Sequence, residues 1–336
     1  MYAILYHSLF ALLAAFGLCA LLGPLTIPML RQLKFGQNVR SDGPKTHLKK
    51  QGTPTMGGII ILVSIIIASL LFGYDSYSFL LIALLMSGLY GIVGFVDDFL
   101  KIVRKRSLGL SAWQKIAAQF VLGLAFSIWL YLTDDVGSML WPGKLDIGVF
   151  YVPFALFVII ATVNSVNLTD GLDGLSSTVT AVYAVAMGAL LCMAVLTAPS
   201  DTPPQRLLDM SALSVFACSV AGGCMGFLLY NAYPAKVFMG DAGAFTLGGA
   251  VAALALLSQT ALLLPLMGVC FVASSVSVML QVGSYKLRNK KRIFRMAPLH
   301  HHFELGGTPE SKIVSVYGIV TAISSAGALL IYWFFK

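Results

Sequence analysis

Charge is what this sequence has least of. Only 11% of its 336 residues are Asp, Glu, Lys or Arg, against about a quarter in soluble globular domains. With 58% hydrophobic residues and a mean hydropathy of +0.87, water is excluded as the main solvent. Strictly alternating apolar strands are missing too, which argues against a closed β-barrel. No low-complexity tract, clear repeat or loop long enough for a separate soluble domain is present, so residues 1–336 read as one polytopic membrane domain. Cysteines are few. Cys19, Cys192, Cys218, Cys224 and Cys270 fall inside apolar runs without metal-ligand spacing, as small packing residues do. The first apolar run lacks a basic start and a small-residue cleavage site, so it reads as a retained span rather than a signal peptide.

What is present is a series of continuous apolar runs, each near the 20 or so residues that carry a helix across a hydrocarbon core. They predict an all-α integral membrane protein of ten transmembrane helices, at 4–30, 56–73, 78–96, 113–132, 149–163, 175–197, 210–230, 244–258, 261–287 and 312–335. Pro24 and Pro28 suggest a kink or early exit for the first. Basic residues then set the orientation. Nineteen of the 22 Lys and Arg residues lie on the connections after odd-numbered spans or in their flanking turns. Lys144, Arg206 and Lys336 are the exceptions. Positive residues stay inside, so those connections are expected in the cytoplasm and both termini outside.

The polar residues with chemistry in them gather on the same side. Asp97 and Asp98 end the third run, followed by Lys101. If the helix continues, both acids share a face with the lysine. Two adjacent acids there point to a divalent cation, with the lysine for phosphate. The plainer alternative is a salt-bridged helix end. Asn164, Asn167, Asp170 and Asp173 recur every three residues beside glycines, where Asp170 or Asp173 also suits a cap of the sixth helix. Asn231, Phe238 and Asp241 lead into the eighth, and Asp241 is again a candidate cap. Three adjacent histidines, His300, His301 and His302, do not share one side of a helix or strand. They argue for orienting phosphate or for a structural role, rather than for a three-His zinc site. Thr53 to Gly58 opens the second helix beside Lys45, Lys49 and Lys50, and suits either a phosphate cradle or a cap. Carboxylates, lysines and the positive ends of helix dipoles at one membrane surface describe a phosphate-handling site with a lipid substrate.

The ordered set of motifs resembles the phospho-N-acetylmuramoyl-pentapeptide transferases of peptidoglycan synthesis, the MraY family. The matches run nearly end to end. They include Asp42-Gly-Pro, the Gly52–Gly58 stretch, Asp97-Asp98 with Lys101, and Gly109-Leu110 with Lys115 and Gln119. The Asn164–Asp173 stretch, Phe238–Asp241 and Ala297–Glu304 complete the set. The resemblance implies attack by undecaprenyl phosphate on the β-phosphate of UDP-MurNAc-pentapeptide, giving lipid I and UMP. It also implies Mg²⁺, a homodimer in the bacterial inner membrane, a cytoplasmic active site and no nucleic acid. Asp241 would ligate the metal, Asp98 would support the acceptor site or the metal, Asp97 would act as base, and His301 would join these three in the catalytic group. Lys50, Thr55, Lys101, Lys115, Asn164, Asn167, Asp170, Asp173, Asn231, Phe238, Gln281, His300 and His302 would line the substrate site. A GlcNAc-1-phosphate transferase is the nearest alternative. An ion-coupled transporter fits less well, because no charged group lies midway through a span.

Overall fold

A computed structural model of the chain describes residues 2–32, 50, 52–74, 76–104, 108–133, 139–141 and 145–335. Asp42, Lys45 and Lys49 lie outside the described residues. The described residues are mostly helical, and among them eight helices are long and apolar enough to cross a membrane. They are α1 (Tyr2–Gln32), α3 (Ser78–Val103), α4 (Ala112–Tyr131), α5 (Tyr151–Thr169), α6 (Leu175–Leu196), α7 (Pro204–Asn231), α8 (Gly240–Leu257) and α12 (Glu310–Phe335). A ninth span counts if α9 (Leu264–Met267) and α10 (Val269–Leu287), bent by 81° at Gly268, are taken together. Between α1 and α3 lies α2 (Gly58–Phe72), with only 15 residues. At 1.5 Å per residue it covers about 22 Å, short of a core of about 30 Å.

The second run yields a short helix because its first residues are used otherwise. Phe238 N donates to Pro54 O (2.8 Å), and the amides of Gly57 and Gly58 donate to the carbonyls of Phe238 and Met239 (both 2.9 Å). Residues 54–58 are thereby laced to the start of α8, and α2 begins only afterwards. Elsewhere helices outrun their apolar stretches. Helix α3 continues to Val103 and carries Asp97, Asp98 and Lys101; α5 continues to Thr169 and carries Asn164 and Asn167. The Ala297–Glu304 motif holds a further short helix, α11 (Leu299–Glu304), too polar for a hydropathy pattern to reveal.

Helix α8 is the centre of the fold, with every residue from Ala242 to Leu257 buried. Its run of Gly and Ala lets neighbouring backbones approach closely, as small residues do between membrane helices. A Cβ on Gly248 would strike α5 at Val163, and one on Gly249 would strike α3 at Met86. Large apolar side chains on the outer helices face outward, among them Leu21 and Leu25 of α1 and Val121 of α4. At the opposite end from Asp97, a short hairpin of β1 (Met139–Trp141) and β2 (Leu145–Asp146) leans on the end of α12. There Trp141 Nε1 donates to Phe335 O (3.1 Å).

Candidate active site

Three helix ends converge on one carboxylate group. Asp97 and Asp98 come from the last turns of α3, and Asp241 from the first turn of α8. Their oxygens lie within 4.8 Å of one another. The approach is permitted by Gly94, one turn before Asp98: a Cβ there would strike the backbone of Asp241 and Ala242. Gly240, at φ +73°, lies against the carboxylate of Asp98 and the hydroxyl of Thr55, so a side chain is barred both by space and by backbone conformation.

Two lysines hold the group together. Lys101 Nζ lies 2.7 Å from Asp97 Oδ2, 3.1 Å from Asp98 Oδ1 and 3.0 Å from Asp241 Oδ2. Lys115, from the first turn of α4, lies 2.9 Å from Asp97 Oδ2 and 2.8 Å from Asp241 Oδ2. Neutral donors complete it. Leu110 N donates to Asp97 Oδ1 (2.7 Å), Ala242 N to Asp98 Oδ2 (3.0 Å), and Asn167 Nδ2 to Asp241 Oδ1 (2.9 Å). Asp97 and Asp98 are buried, whereas the side chain of Asp241 keeps 17% exposure, so the group opens at Asp241. Asp170 stands nearby and its side chain makes no hydrogen bond or ion pair among the described residues. Burial, reinforced by the negative charges of Asp241, Asp98 and Asp173, pushes its carboxyl up to about 8.

The donor set tests what cation would fit. The three convergent ligand groups are all carboxylates, with no thiolate or imidazole among them. That chemistry fits a hard divalent cation and not zinc. Two ammonium groups already lie among the oxygens, so the cluster prefers positive charge wherever it comes from.

A second group lies alongside. Lys50 Nζ sits 2.7 Å from both Asp173 Oδ1 and Glu310 Oε2, with the Tyr233 ring 5.9 Å away. Burial opposes its charge, but the two carboxylates outweigh this and hold the ammonium above its ordinary range. Ala235 N donates to the other oxygen of Asp173 (2.9 Å). Asn231 is buried, with Oδ1 accepting from Gly174 N (3.1 Å) and Nδ2 donating to Val237 O (2.9 Å). It therefore splices the start of α6 to the segment that carries half-buried Phe238.

The remaining expected residues divide. Asn164 donates to Gln119 Oε1 (2.6 Å), deeper between α4 and α5 and away from the carboxylates. His300 and His301 are buried beside Gly171, where a Cβ would strike His300, and His301 Nδ1 pairs with Glu304 Oε2 (2.9 Å). His302 Nδ1 instead accepts from Arg295 N (3.1 Å). Gln281 clamps the same loop, its Oε1 accepting from Ile293 N (3.0 Å) and Phe294 N (2.9 Å).

Several expected caps are corrected. Gly174, at φ +77°, is the N-cap of α6, and no side chain caps it; Asp173 is drawn to Lys50 instead. Asp241 lies inside α8 rather than before it, and the free amide of Ala242 is taken by Asp98. The Thr53–Gly58 cradle lacks the Gly57 and Gly58 amides, which already bind carbonyls. Two contributors escaped the sequence pattern. Glu310 gave only a lone acid at a helix start as its signal, and the Leu110 amide gave only its place in the Gly109-Leu110 motif.

Residues 80–259, which hold α3 to α8 and all five clustered aspartates, match the profile described as "Glycosyl transferase family 4". Residues 50–62 match "Phospho-N-acetylmuramoyl-pentapeptide-transferase signature 1". The phospho-N-acetylmuramoyl-pentapeptide-transferase of Caldanaerobacter subterraneus is 48% identical over 94% of this chain and 96% of its own length. That of Heliobacterium modesticaldum is 45% identical over 96% of each chain. The chain belongs to the phospho-N-acetylmuramoyl-pentapeptide-transferase family. The protein of that name from Clostridioides difficile is 43% identical over 93% of each chain. The family signature runs from Lys50 through the lacing into the first residues of α2, so it covers one wall of the site.

Proposed function

We propose that this chain transfers phospho-MurNAc-pentapeptide from UDP-MurNAc-pentapeptide to undecaprenyl phosphate, forming lipid I and releasing UMP. The observation that carries the reading is the convergence of Asp97, Asp98 and Asp241 with Lys101 and Lys115 where the end of α3 meets the starts of α4 and α8. Family membership supplies the substrates. An oxygen of the lipid phosphate attacks the β-phosphorus of the donor, and the bond from that phosphorus to the bridging oxygen breaks. UMP leaves with that oxygen. Asp97 takes the remaining proton of the lipid phosphate. Lys101 and Lys115 exchange carboxylate partners for phosphate oxygens and counter the charge gathered there. Lys50, Asp173 and Phe238 face the nucleotide end, with Asp170, Asn167, Gln281 and His301 towards the phosphates and sugar.

Asp241 and Asp98 are the residues that would hold Mg²⁺, which when bound neutralises pyrophosphate charge. The reading places ten spans in a bacterial inner membrane, counting α2 and taking α9 with α10 as one. Both termini lie outside, the site opens to the cytoplasm, and the whole chain is one catalytic unit in a homodimer.

The test is an assay with labelled donors. UDP-MurNAc-pentapeptide is expected to be used and UDP-GlcNAc refused; the reverse preference would move the chain to the GlcNAc branch. After chelation, Mg²⁺ or Mn²⁺ restores turnover and Zn²⁺ does not. Asp241→Asn folds but loses about 10²–10³ in rate. Full activity in EDTA sinks the metal assignment.

A further inference from the structure

The loop after α10 carries a charge pattern that the transfer reaction leaves unused. Lys286, Arg288, Lys290, Lys291 and Arg292 are all exposed, and among the described residues none of them makes an ion pair. They are not on a slack chain. Asn289 (φ 49°) and Lys290 (φ 64°) adopt the left-handed conformation, which turns the loop back on the helix. Lys290 N then donates to Tyr285 O (3.0 Å), and Ser284 Oγ to Lys291 O (2.9 Å). The Gln281 clamp and the Arg295–His302 contact fix the far side. The result is a hydrogen-bonded hook whose five cations make no ion pair among the described residues.

Apolar side chains stand among the cations. Leu287 is 86% exposed and Ile293 48% exposed, continuing the outward apolar face of α10 at Met279 and Leu280. A surface that met only water or a soluble anion would not need them. At a membrane interface the same mixture is favourable, because apolar groups enter the acyl boundary while lysines reach the headgroups. Juxtamembrane clusters of this size attract anionic lipid. The hook stands at the same end of the molecule as the carboxylate group, since α11 sets His302 against Arg295 of the loop and His300 against Gly171, beside Asp170.

We propose that residues 286–293 are a docking surface for anionic phospholipid headgroups of the leaflet bordering the site. Occupancy of this surface fixes Gln281 and His302 for donor binding. The inference rests on the cytoplasmic placement of the site and on those two residues serving the donor, and goes beyond the transfer reaction itself.

The full chain is placed in nanodiscs of phosphatidylcholine, alone or mixed with phosphatidylglycerol, and compared with Lys286→Gln/Lys290→Gln/Lys291→Gln. Native mass spectrometry counts retained phosphatidylglycerol, and kinetics give KM for each substrate. The wild type is expected to retain phosphatidylglycerol and to show a several-fold lower donor KM in its presence. The triple Gln variant loses both effects, with kcat in phosphatidylcholine unchanged, and the matching triple Arg variant regains both. Equal lipid retention by wild type and the Gln variant overturns the proposal. So does a rise in donor or acceptor KM in phosphatidylcholine alone, which assigns the hook to substrate. These outcomes are separate from failure of the transferase reading, which would appear as no turnover of the wild type in any lipid.

Discussion

Asp97 is ion-paired with Lys101 and Lys115 and accepts a hydrogen bond from the Leu110 amide, and its side chain has no exposed surface. For it to take a proton, the lysines must turn towards something more anionic, and the incoming phosphates supply that. The second ionisation of the lipid phosphate should lie near pH 6, as for a phosphorylated side chain. A base is therefore needed most in mild acid. Asp97→Asn should lose about 10²–10⁴ in rate there and recover appreciably towards about pH 9, where the acceptor ionises unaided. A pH–rate profile beside Asp98→Asn checks this, with donor binding measured separately. An equal loss at every pH, with donor binding intact, removes Asp97 from the role of base. Glu310 makes a different prediction. It shares Lys50 with Asp173, so Glu310→Gln leaves Lys50 off its position and should raise donor KM about tenfold, the scale of one charged hydrogen bond. Turnover at saturation should hold, and Glu310→Asp should recover part of the loss. A fall in kcat with KM unchanged would detach Glu310 from donor binding. The aspartates were legible because acids stand out in an apolar chain. Glu310 was not, because its partner Lys50 is 260 residues away and no local pattern joins them.

At the scale of elements, the meeting of α3 and α8 is what makes the site. The backbone contact at Gly94 tests this. Gly94→Ala forces a methyl group into the Asp241 and Ala242 backbone, and should cost about 1–3 kcal/mol with loss of most activity. Gly88, six residues earlier on α3, has open space around its Cβ. Gly88→Ala should leave both activity and the thermal unfolding midpoint near wild type. Similar behaviour of the two variants would mean that α3 and α8 are not held by this contact. Hydropathy located nearly every long helix, because burial in lipid and burial in protein both demand apolar residues. It misplaced the ends for a physical reason. Helices α3 and α5 continue past the apolar boundary on polar side chains that neighbouring elements satisfy, as Lys101 and Asn167 show. The late start of α2 depends on pairing with residues 238–239, far along the chain. Spacing alone indicated that Asp97, Asp98 and Lys101 share a face. Asp241 and Lys115 joining them required the packing of three helices.

On the scale of the molecule, one end holds the carboxylate group, the Lys50 pair and the basic hook, while the α6–α7 connection and the small hairpin mark the other. The distribution of basic residues sets the expected orientation, and the proposed reaction gives that orientation its consequence. Nucleotide donors are made and kept in the cytoplasm, so the end with the lysines must face it for the proposed reaction to run. Exposed Leu108, beside the Asp97 contact, and exposed Ser311, next to Glu310, report on that end; exposed Ser200 reports on the other. The native cysteines interfere little, because four are buried and Cys218 is half-buried. Leu108→Cys and Ser311→Cys should resist a membrane-impermeant thiol reagent in intact cells and react once the membrane is opened. Ser200→Cys should react in both. If Leu108→Cys and Ser311→Cys label in intact cells while Ser200→Cys stays dark, the chain lies the other way up. The carboxylate group would then face a compartment without its donor, and both the transfer reaction and the lipid-docking role of the hook would have to be withdrawn.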